Sequence, residues 1–217
     1  MSQIGEILER ILQQRSPIRC KIENISPQEI ELGLQKSFLE EIKNRNKTLQ
    51  NKEEIKNILH KIACWLLATT PGLMICGNTG TGKTTIAKAL ITFFNAYNQF
   101  YNTECFRANV EKLSGYSLNQ IAKDDKEFQR IKGTLRLFID DIGVETTDVK
   151  SYGTALTPFA ELLHERYENQ TVTILTTNLS MEQLREKYGE RTFSRLNEMF
   201  ARVTLTGKDL RLTQNII

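Results

Sequence analysis

A glycine-rich segment carries the clearest chemical signal in the sequence. It reads Gly77-Asn78-Thr79-Gly80-Thr81-Gly82-Lys83-Thr84, is followed by Thr85, and fits the pattern G-x-x-x-x-G-K-[ST] of a phosphate-binding loop. Glycines let such a loop wrap until its backbone N–H groups point at a β-phosphate, and a helix N-terminus adds partial positive charge. Lys83 is expected to reach the β- and γ-phosphates, and the Thr84 hydroxyl to ligate Mg²⁺. The alternative without a binding function is a glycine-rich turn with a solvated lysine.

Two neighbouring aspartates, Asp140 and Asp141, follow the apolar run 135–139. A buried strand would deliver both carboxylates at its C-terminal edge, where α/β sheets place their ligands. Asp140 fits the carboxylate on the Mg²⁺ side, and Asp141 fits the residue that orients or deprotonates an attacking water. An Asp-Asp pair alone is also typical of turns. The pair begins 56 residues after Thr84, an interval that leaves room for one intervening strand, and this spacing favours the metal and water site over a turn.

Asn178 follows the apolar run 172–177 and is expected near the γ-phosphate, at the end of a neighbouring strand. A turn or helix-cap role is the alternative, for which Ser180 competes. Further along, Arg191 and Arg195 are four residues apart and share one face of a predicted helix. Taken alone, these arginines also fit a solvated basic face.

The elements that position these residues follow from short apolar runs that alternate with helical stretches. Continuous apolar runs of four to six residues are typical of strands buried on both faces of a parallel sheet. The sequence therefore predicts an α/β fold with a five-stranded parallel sheet flanked by helices. The predicted strands are 73–76, 104–108, 135–140, 172–177 and 202–206.

The chain before the sheet is predicted to be helical. An apolar stripe on one helix face is formed by Ile4, Ile7, Leu8, Ile11 and Leu12. After Pro17, the segment Ser26-Pro27-Gln28-Glu29 has the pattern of a capping box and predicts a helix that runs to about Lys43. A polar linker is expected at 44–51, and a second amphipathic helix at 55–67. We accordingly divide the chain into a partner-docking region with its linker, 1–50, and a core, 51–217.

The composition is that of an ordinary soluble protein. The 217 residues include 29 Lys and Arg and 26 Asp and Glu, so the formal net charge is +3. This balance is far from that of a DNA-coating protein, and any DNA contact should be local. No apolar run approaches the ~20 residues that span a bilayer, and the four cysteines form no C-x-x-C pair. We expect a cytoplasmic protein without a membrane anchor.

Five motifs in order resemble one family. GNTGTGKTT, LRLFIDDIG, TILTTNLS, GERTFSRLNEM and GKDLRL are similar to the AAA+ ATPases of the DnaC/DnaI helicase loaders and the IstB transposition ATPases, over residues 65–217. The resemblance implies that Asn178 is the sensor-1 residue, Arg195 an arginine finger offered to a neighbouring subunit, and Arg211 the sensor-2 arginine. The resemblance also implies that Arg191 is a second basic contact, in the same predicted helix as Arg195. The chain ends soon after Arg211, which agrees with this family's lack of a C-terminal helical lid.

The resemblance also implies an activity. It predicts an Mg²⁺- and ATP-dependent helicase loader in DNA replication that oligomerises around DNA and contacts a replicative helicase and single-stranded DNA. An IstB-like ATPase that delivers a transposase is the nearest alternative; a small-molecule kinase, with Arg191 and Arg195 as lid arginines, is another. Many AAA+ proteins have Asp-Glu where this chain has Asp140-Asp141, so hydrolysis should be slow, and a binding module with negligible turnover is a third alternative.

The segment 109–130 is where the resemblance places an insertion that touches single-stranded DNA. Lys112, Tyr116 and Lys123 would supply charge and a stacking ring. A surface helix with ordinary charges explains these residues equally well.

Overall fold

The computed structural model of the chain describes residue 22 and residues 25–45, 52–101, 110–145 and 157–207. The predicted apolar stripe at 4–12, the predicted strand at 104–108, most of the linker and Arg211 lie outside these residues.

Within the described residues, parallel strands form one five-stranded sheet, as the sequence predicts. The strand order is β2-β3-β4-β1-β5, and every neighbouring pair is parallel. The strands are β1 (Gly72–Gly77), β2 (Glu111–Ser114), β3 (Arg136–Ile142), β4 (Val172–Thr177) and β5 (Phe200–Leu205). Strand β4 is buried along its whole length, which explains its continuous apolar run.

Strand β2 lies at the edge of the sheet, beside β3. Its side chains alternate between half-buried and exposed, so it has no apolar run that would reveal it in the sequence. The sequence analysis placed no strand there and gave a surface helix as the alternative explanation for Lys112, which lies in the middle of β2. The structure corrects that assignment for 111–114.

Helices cover both faces of the sheet. Helix α1 begins with the predicted capping box, in which the Glu29 backbone N–H donates to Ser26 Oγ at 3.3 Å and the Ser26 N–H donates to Glu29 Oε2 at 2.9 Å. The predicted end of α1 at Lys43 is confirmed. The helices are α1 (Pro27–Lys43), α2 (Lys52–Leu67), α3 (Lys83–Tyr101), α4 (Gly115–Ile121), α5 (Asp125–Lys132), α6 (Pro158–Glu168) and α7 (Met181–Met199), the last with a kink at Gly189.

Two apolar clusters, one on each face of the sheet, make a three-layer core. Successive residues of β1 divide between them, because side chains of a strand alternate in direction: Leu73 and Ile75 belong to one cluster and Met74 to the other. The first cluster contains α1, α2 and α3, and the second contains α4, α5, α6 and α7.

Helix α1 belongs to the first cluster through a stripe of buried residues four apart, namely Ile30, Leu34, Phe38 and Ile42. The helix packs against α3, and a Cβ on Gly33 would come within 2.6 Å of Phe93 Cε2. The packing therefore joins 27–43 to the helices around the sheet. The docking role of 1–50 remains a prediction.

In the described part of the chain, no helix combines the length and the apolar character that crossing a bilayer requires.

Candidate nucleotide-binding site

The glycine-rich loop connects β1 to α3 at the C-terminal edge of the sheet. Gly77, Gly80 and Gly82 have φ angles of 150°, 78° and 100°, a region that side chains with a Cβ rarely adopt. A Cβ on Gly77 would also lie 2.6 Å from the Leu205 carbonyl oxygen. Glycine is therefore required for the loop to turn back and start α3 at Lys83. The N-terminal N–H groups of α3 then face the hollow of the loop, which is a ready anion site.

Lys83 connects this loop to β4. Its Nζ donates to the Asn78 carbonyl at 2.8 Å and to Asn178 Oδ1 at 2.6 Å. The side chain is buried, with 6% of its surface exposed. The loop lysine and the polar residue that follows β4 are therefore in direct contact.

Thr84 and Asp140 form the second contact of the site. The Thr84 Oγ1 donates to Asp140 Oδ1 at 2.9 Å. A hydroxyl and a carboxylate are oxygen ligands of the type that Mg²⁺ prefers, and Mg²⁺ commonly takes one or two protein ligands and completes its shell with water and phosphate oxygens. Among the described residues no cluster of three or more His, Cys, Asp or Glu side chains could hold a metal ion. The pair therefore fits Mg²⁺ that arrives together with a nucleotide.

Asp141 follows in an unusual backbone conformation, with a φ of 63°. Its N–H donates to Thr176 Oγ1 at 2.7 Å, and its Oδ1 accepts from Asn178 Nδ2 at 2.5 Å. The left-handed conformation costs a non-glycine residue free energy, which the surrounding contacts must supply. These contacts hold the carboxylate against the Asn178 side chain.

Thr176 is a site residue that the sequence analysis missed. Its Oγ1 donates to Asp140 Oδ1 at 2.6 Å and accepts from the Asp141 N–H, so one hydroxyl holds both aspartates. The residue is fully buried in β4. The available signal was a threonine inside an apolar strand, two residues before Asn178, where alternate side chains share a face.

Glu145 is a second missed residue and supports the turn after β3. It is 2% exposed; its Oε2 accepts from the Gly143 N–H at 2.8 Å, and its Oε1 accepts from the Tyr188 hydroxyl. Burial raises the pKa of Tyr188, and the Glu145 carboxylate raises it further, so the phenol remains a donor. Lys187 Nζ donates to the Glu145 carbonyl at 2.7 Å. The turn that follows Asp141 is thereby fastened to α7.

The remaining loop residues surround this cluster. Thr81 Oγ1 donates to the Asn78 carbonyl at 2.9 Å, and Thr79 is exposed at the tip of the loop. Thr85, one residue past the loop, is buried, and its Oγ1 accepts from Arg45 Nη1 at 2.9 Å. Arg45 lies in the segment that the sequence analysis treated as a linker.

A cavity of about 520 Å³ opens beside the loop, a volume in the range of small-molecule sites. Burial raises the pKa of the Cys76 thiol on its wall, and the positive charges of Arg202 and Lys83 partly offset this. The cavity is lined by Cys76, Gly77, Asn78, Asn178, Leu179, Ser180, Met181, Gln183, Arg202, Thr204, Leu205 and Thr206.

The profile of the family described as "ATPase family associated with various cellular activities (AAA)" matches residues 73–202. This match covers more than half of the chain, from β1 into β5. The chain belongs to the AAA family of ATPases. No curated protein sequence shows a significant match.

Solved structures share the fold of this AAA ATPase. The crystal structure of the DnaC helicase loader is 20% identical, with a TM-score of 0.56 over 74% of this chain and 94% of that one. DnaI is 21% identical, with a TM-score of 0.54 over 76% of this chain and 89% of that one. AMPPCP-bound DnaA from Aquifex aeolicus is 17% identical, with a TM-score of 0.50 over 76% of this chain and 50% of that one. At sequence identities this low, the structural comparison shows a shared fold and nothing more.

Arg195 lies apart from the nucleotide cluster of this AAA ATPase. Its guanidinium carbon is 5.5 Å from the ring centroid of Tyr167, near the end of α6. It precedes β5 by one turn of helix, and the first residue of β5 pairs with Gly72, the first residue of β1. Arg195 is thus at the N-terminal edge of the sheet, whereas Lys83 is at the C-terminal edge. A six-residue strand separates the two edges by about 20 Å, which no single side chain spans.

Arg191 and the predicted DNA contacts lie at the surface. Arg191 is exposed, four residues before Arg195 on α7, and Arg211 lies outside the described residues. Lys112, Tyr116 and Lys123 are all exposed, Tyr116 to 70%, on β2, on α4 and just after α4.

Proposed function

We propose that this AAA ATPase binds Mg-ATP at interfaces between its own copies and acts in DNA replication as a helicase loader. The observation that carries the proposal is the contact of Lys83 with Asn178 and of Asn178 with Asp141 at one edge of the sheet, with Arg195 at the opposite edge. One chain therefore presents both a phosphate-binding half and, elsewhere, an arginine for a neighbour.

Each residue of the phosphate-binding half has a chemical task. Lys83 supplies positive charge to the β- and γ-phosphates, and Thr84 and Asp140 supply oxygen ligands for the metal. Bound Mg²⁺ neutralises phosphate charge during transfer. Asp141 accepts the proton of the attacking water, and Asn178 orients that carboxylate through its Nδ2 while its Oδ1 holds Lys83. The short side chain of Asp141 is expected to make hydrolysis slow.

Arg195 is proposed to complete the site of the next subunit. An arginine brought to the γ-phosphate by a neighbour stabilises the charge of the transition state, and charge-assisted hydrogen bonds of this kind are among the stronger ones. ATP would then act as an assembly signal, because the guanidinium meets the γ-phosphate only across an interface. Gly189, at the kink of α7, separates this part of the helix from the part nearest the nucleotide.

The helicase-loader role is supported by likeness of fold. The match spans nearly the full length of the DnaC and DnaI chains. We infer that the client is a replicative helicase, docked through 1–50, and that Lys112, Tyr116 and Lys123 contact single-stranded DNA. Arg211 is proposed as the sensor-2 residue. This role places the protein in the cytoplasm.

The test is phosphate release from ATP by the full chain, with and without single-stranded DNA and with the replicative helicase of the same organism. We expect slow release to water that single-stranded DNA changes, together with an ATP-dependent complex with the helicase. Lys83→Ala should lose both, whereas the exposed Lys88→Ala should lose neither. Transfer of phosphate to a small-molecule acceptor would favour a kinase, and capture of a transposase in place of a helicase would favour an IstB-like ATPase.

A further inference from the structure

Arg45 reaches the nucleotide site from outside the predicted core. Its backbone N–H donates to the Ile42 carbonyl at 3.2 Å, just past the end of α1, and its Nη1 donates to Thr85 Oγ1 at 2.9 Å. The buried stripe of α1 packs on α3 and aligns the C-terminal end of α1 with the first turn of α3. Arg45 is thus held at that turn by the core of the protein.

The first turn of α3 is the part of the helix that faces bound phosphates. Its N–H groups have no partner within the helix, and its dipole favours negative charge. The Lys83 and Thr84 side chains of this turn contact Asn178 and Asp140, the residues proposed above for the γ-phosphate and the metal. Thr85 is directed instead to α1 and Arg45. Arg45 therefore contacts the first turn of α3 through a different residue from those that contact the hydrolytic cluster.

The contact with Thr85 uses only part of the guanidinium. An arginine side chain has five N–H donors in a fixed fork, and one hydroxyl satisfies one of them. Within the described ranges, no carboxylate pairs with the half-buried Arg45 side chain. A phosphate oxygen beside Thr85 would supply both the missing negative charge and further acceptors.

We propose that Arg45 is a nucleotide-binding residue that contacts the α-phosphate of ATP and of ADP. The inference rests on the proposed ATP binding. It assigns to the end of α1 a direct contact with the ligand, so the segment that precedes α2 responds to an occupied site. Because both nucleotides carry an α-phosphate, this contact does not distinguish ATP from ADP.

The test compares equilibrium binding of fluorescent mant-ADP and mant-ATP, with Mg²⁺, to the full chain and its variants. Loss of a charge-assisted hydrogen bond predicts that Arg45→Ala weakens both nucleotides about tenfold and by the same factor. Arg45→Lys keeps a charge without the fork and should weaken both by less. Arg130→Ala, which removes an exposed arginine on α5 paired with Glu127, should change neither. Unchanged affinity in Arg45→Ala, or a loss confined to mant-ATP, would overturn the inference.

A double-mutant cycle distinguishes a direct contact of Arg45 with the phosphate from a purely structural role of Arg45 through Thr85. In a Thr85→Val background the hydrogen bond is already absent, and a direct phosphate contact predicts that Arg45→Ala still weakens mant-ADP about tenfold. If Arg45→Ala adds nothing to Thr85→Val, the inference is wrong and ATP binding stands. A wild-type chain that binds neither nucleotide would instead overturn the proposed function, and the inference with it.

Discussion

Asn178 and Asp141 are joined by a hydrogen bond of 2.5 Å, from Asn178 Nδ2 to Asp141 Oδ1, while the other end of the same amide accepts from Lys83 Nζ at 2.6 Å. The asparagine that follows β4 thus links the lysine proposed to bind phosphates to the aspartate proposed to activate water. These two hydrogen bonds fix the orientation of the amide, because its oxygen can only accept and its nitrogen can only donate.

Asn178→Ala is therefore expected to separate binding from hydrolysis. Without the amide, Asp141 and Lys83 keep their charges but lose the group that aligns them, so hydrolysis should fall about 100-fold. Affinity for mant-ADP should change less than about threefold, because the loop and the α3 N-terminus remain. Phosphate release and nucleotide titration on the same preparation measure both. A parallel loss of affinity and rate would show that Asn178 serves binding and not the water.

Thr176→Val keeps the shape of the side chain and removes the hydroxyl that holds Asp140 and Asp141. The Asp141 N–H loses its described partner in a half-buried position, which should cost about 1 kcal/mol in the free energy of unfolding. Asp140 would also lose alignment with Thr84, so the Mg²⁺ concentration required for half-maximal ATP hydrolysis should rise. Urea unfolding and a magnesium titration measure these effects. Thr176→Ser should behave like the wild type in both; equal behaviour of Val and Ser would refute the role of the hydroxyl.

Tyr188 allows a prediction about pH. Burial raises its pKa above the ordinary value of 10.0, so above pH 10 the unfolded chain loses a proton that the folded chain keeps. The folded state then binds more protons than the unfolded state, and the contribution of Tyr188 to the free energy of unfolding must decrease as pH rises above 10. Tyr188→Phe removes this dependence.

The measurement is chemical denaturation of wild type and Tyr188→Phe between pH 8 and pH 11. The wild type should be more stable at pH 8, by about 1 kcal/mol for a buried hydrogen bond, and the difference should shrink toward pH 11. A difference that grows with pH over this range would contradict the assignment of the buried phenol as donor to Glu145.

The parts of the site that the sequence predicts are those with local signals. The loop pattern occupies eight consecutive residues, and the α1 capping box occupies four; both were placed correctly because the interacting groups are neighbours along the chain. The continuous apolar run of β4 likewise placed Asn178 at a strand end. The apolar run before it identified Asp141 as a candidate, although its place inside β3, which extends to Ile142, and its left-handed conformation were not predicted.

The parts that the sequence did not predict depend on packing between distant segments. Thr176 meets Asp141 from 35 positions away, and Glu145 meets Tyr188 from 43 positions away. Arg45 meets Thr85 across 40 positions, through the packing of α1 on α3. Glu145 and Arg45 lie in no motif, and Thr176 has no predicted role although it lies within the motif TILTTNLS. Strand β2 was missed because an edge strand exposes half of its side chains to water.

The most direct test of the shared-site account is phosphate release from mixtures of Arg195→Ala and Asp141→Asn chains. Each variant alone should be nearly inactive while it binds mant-ADP normally. In an equal mixture with random assembly, about a quarter of head-to-tail interfaces would combine an intact Asp141 with an intact Arg195. We predict recovery of about that share of wild-type activity, with a maximum near the equal mixture. No recovery at any ratio, with both chains shown to assemble together, would contradict it.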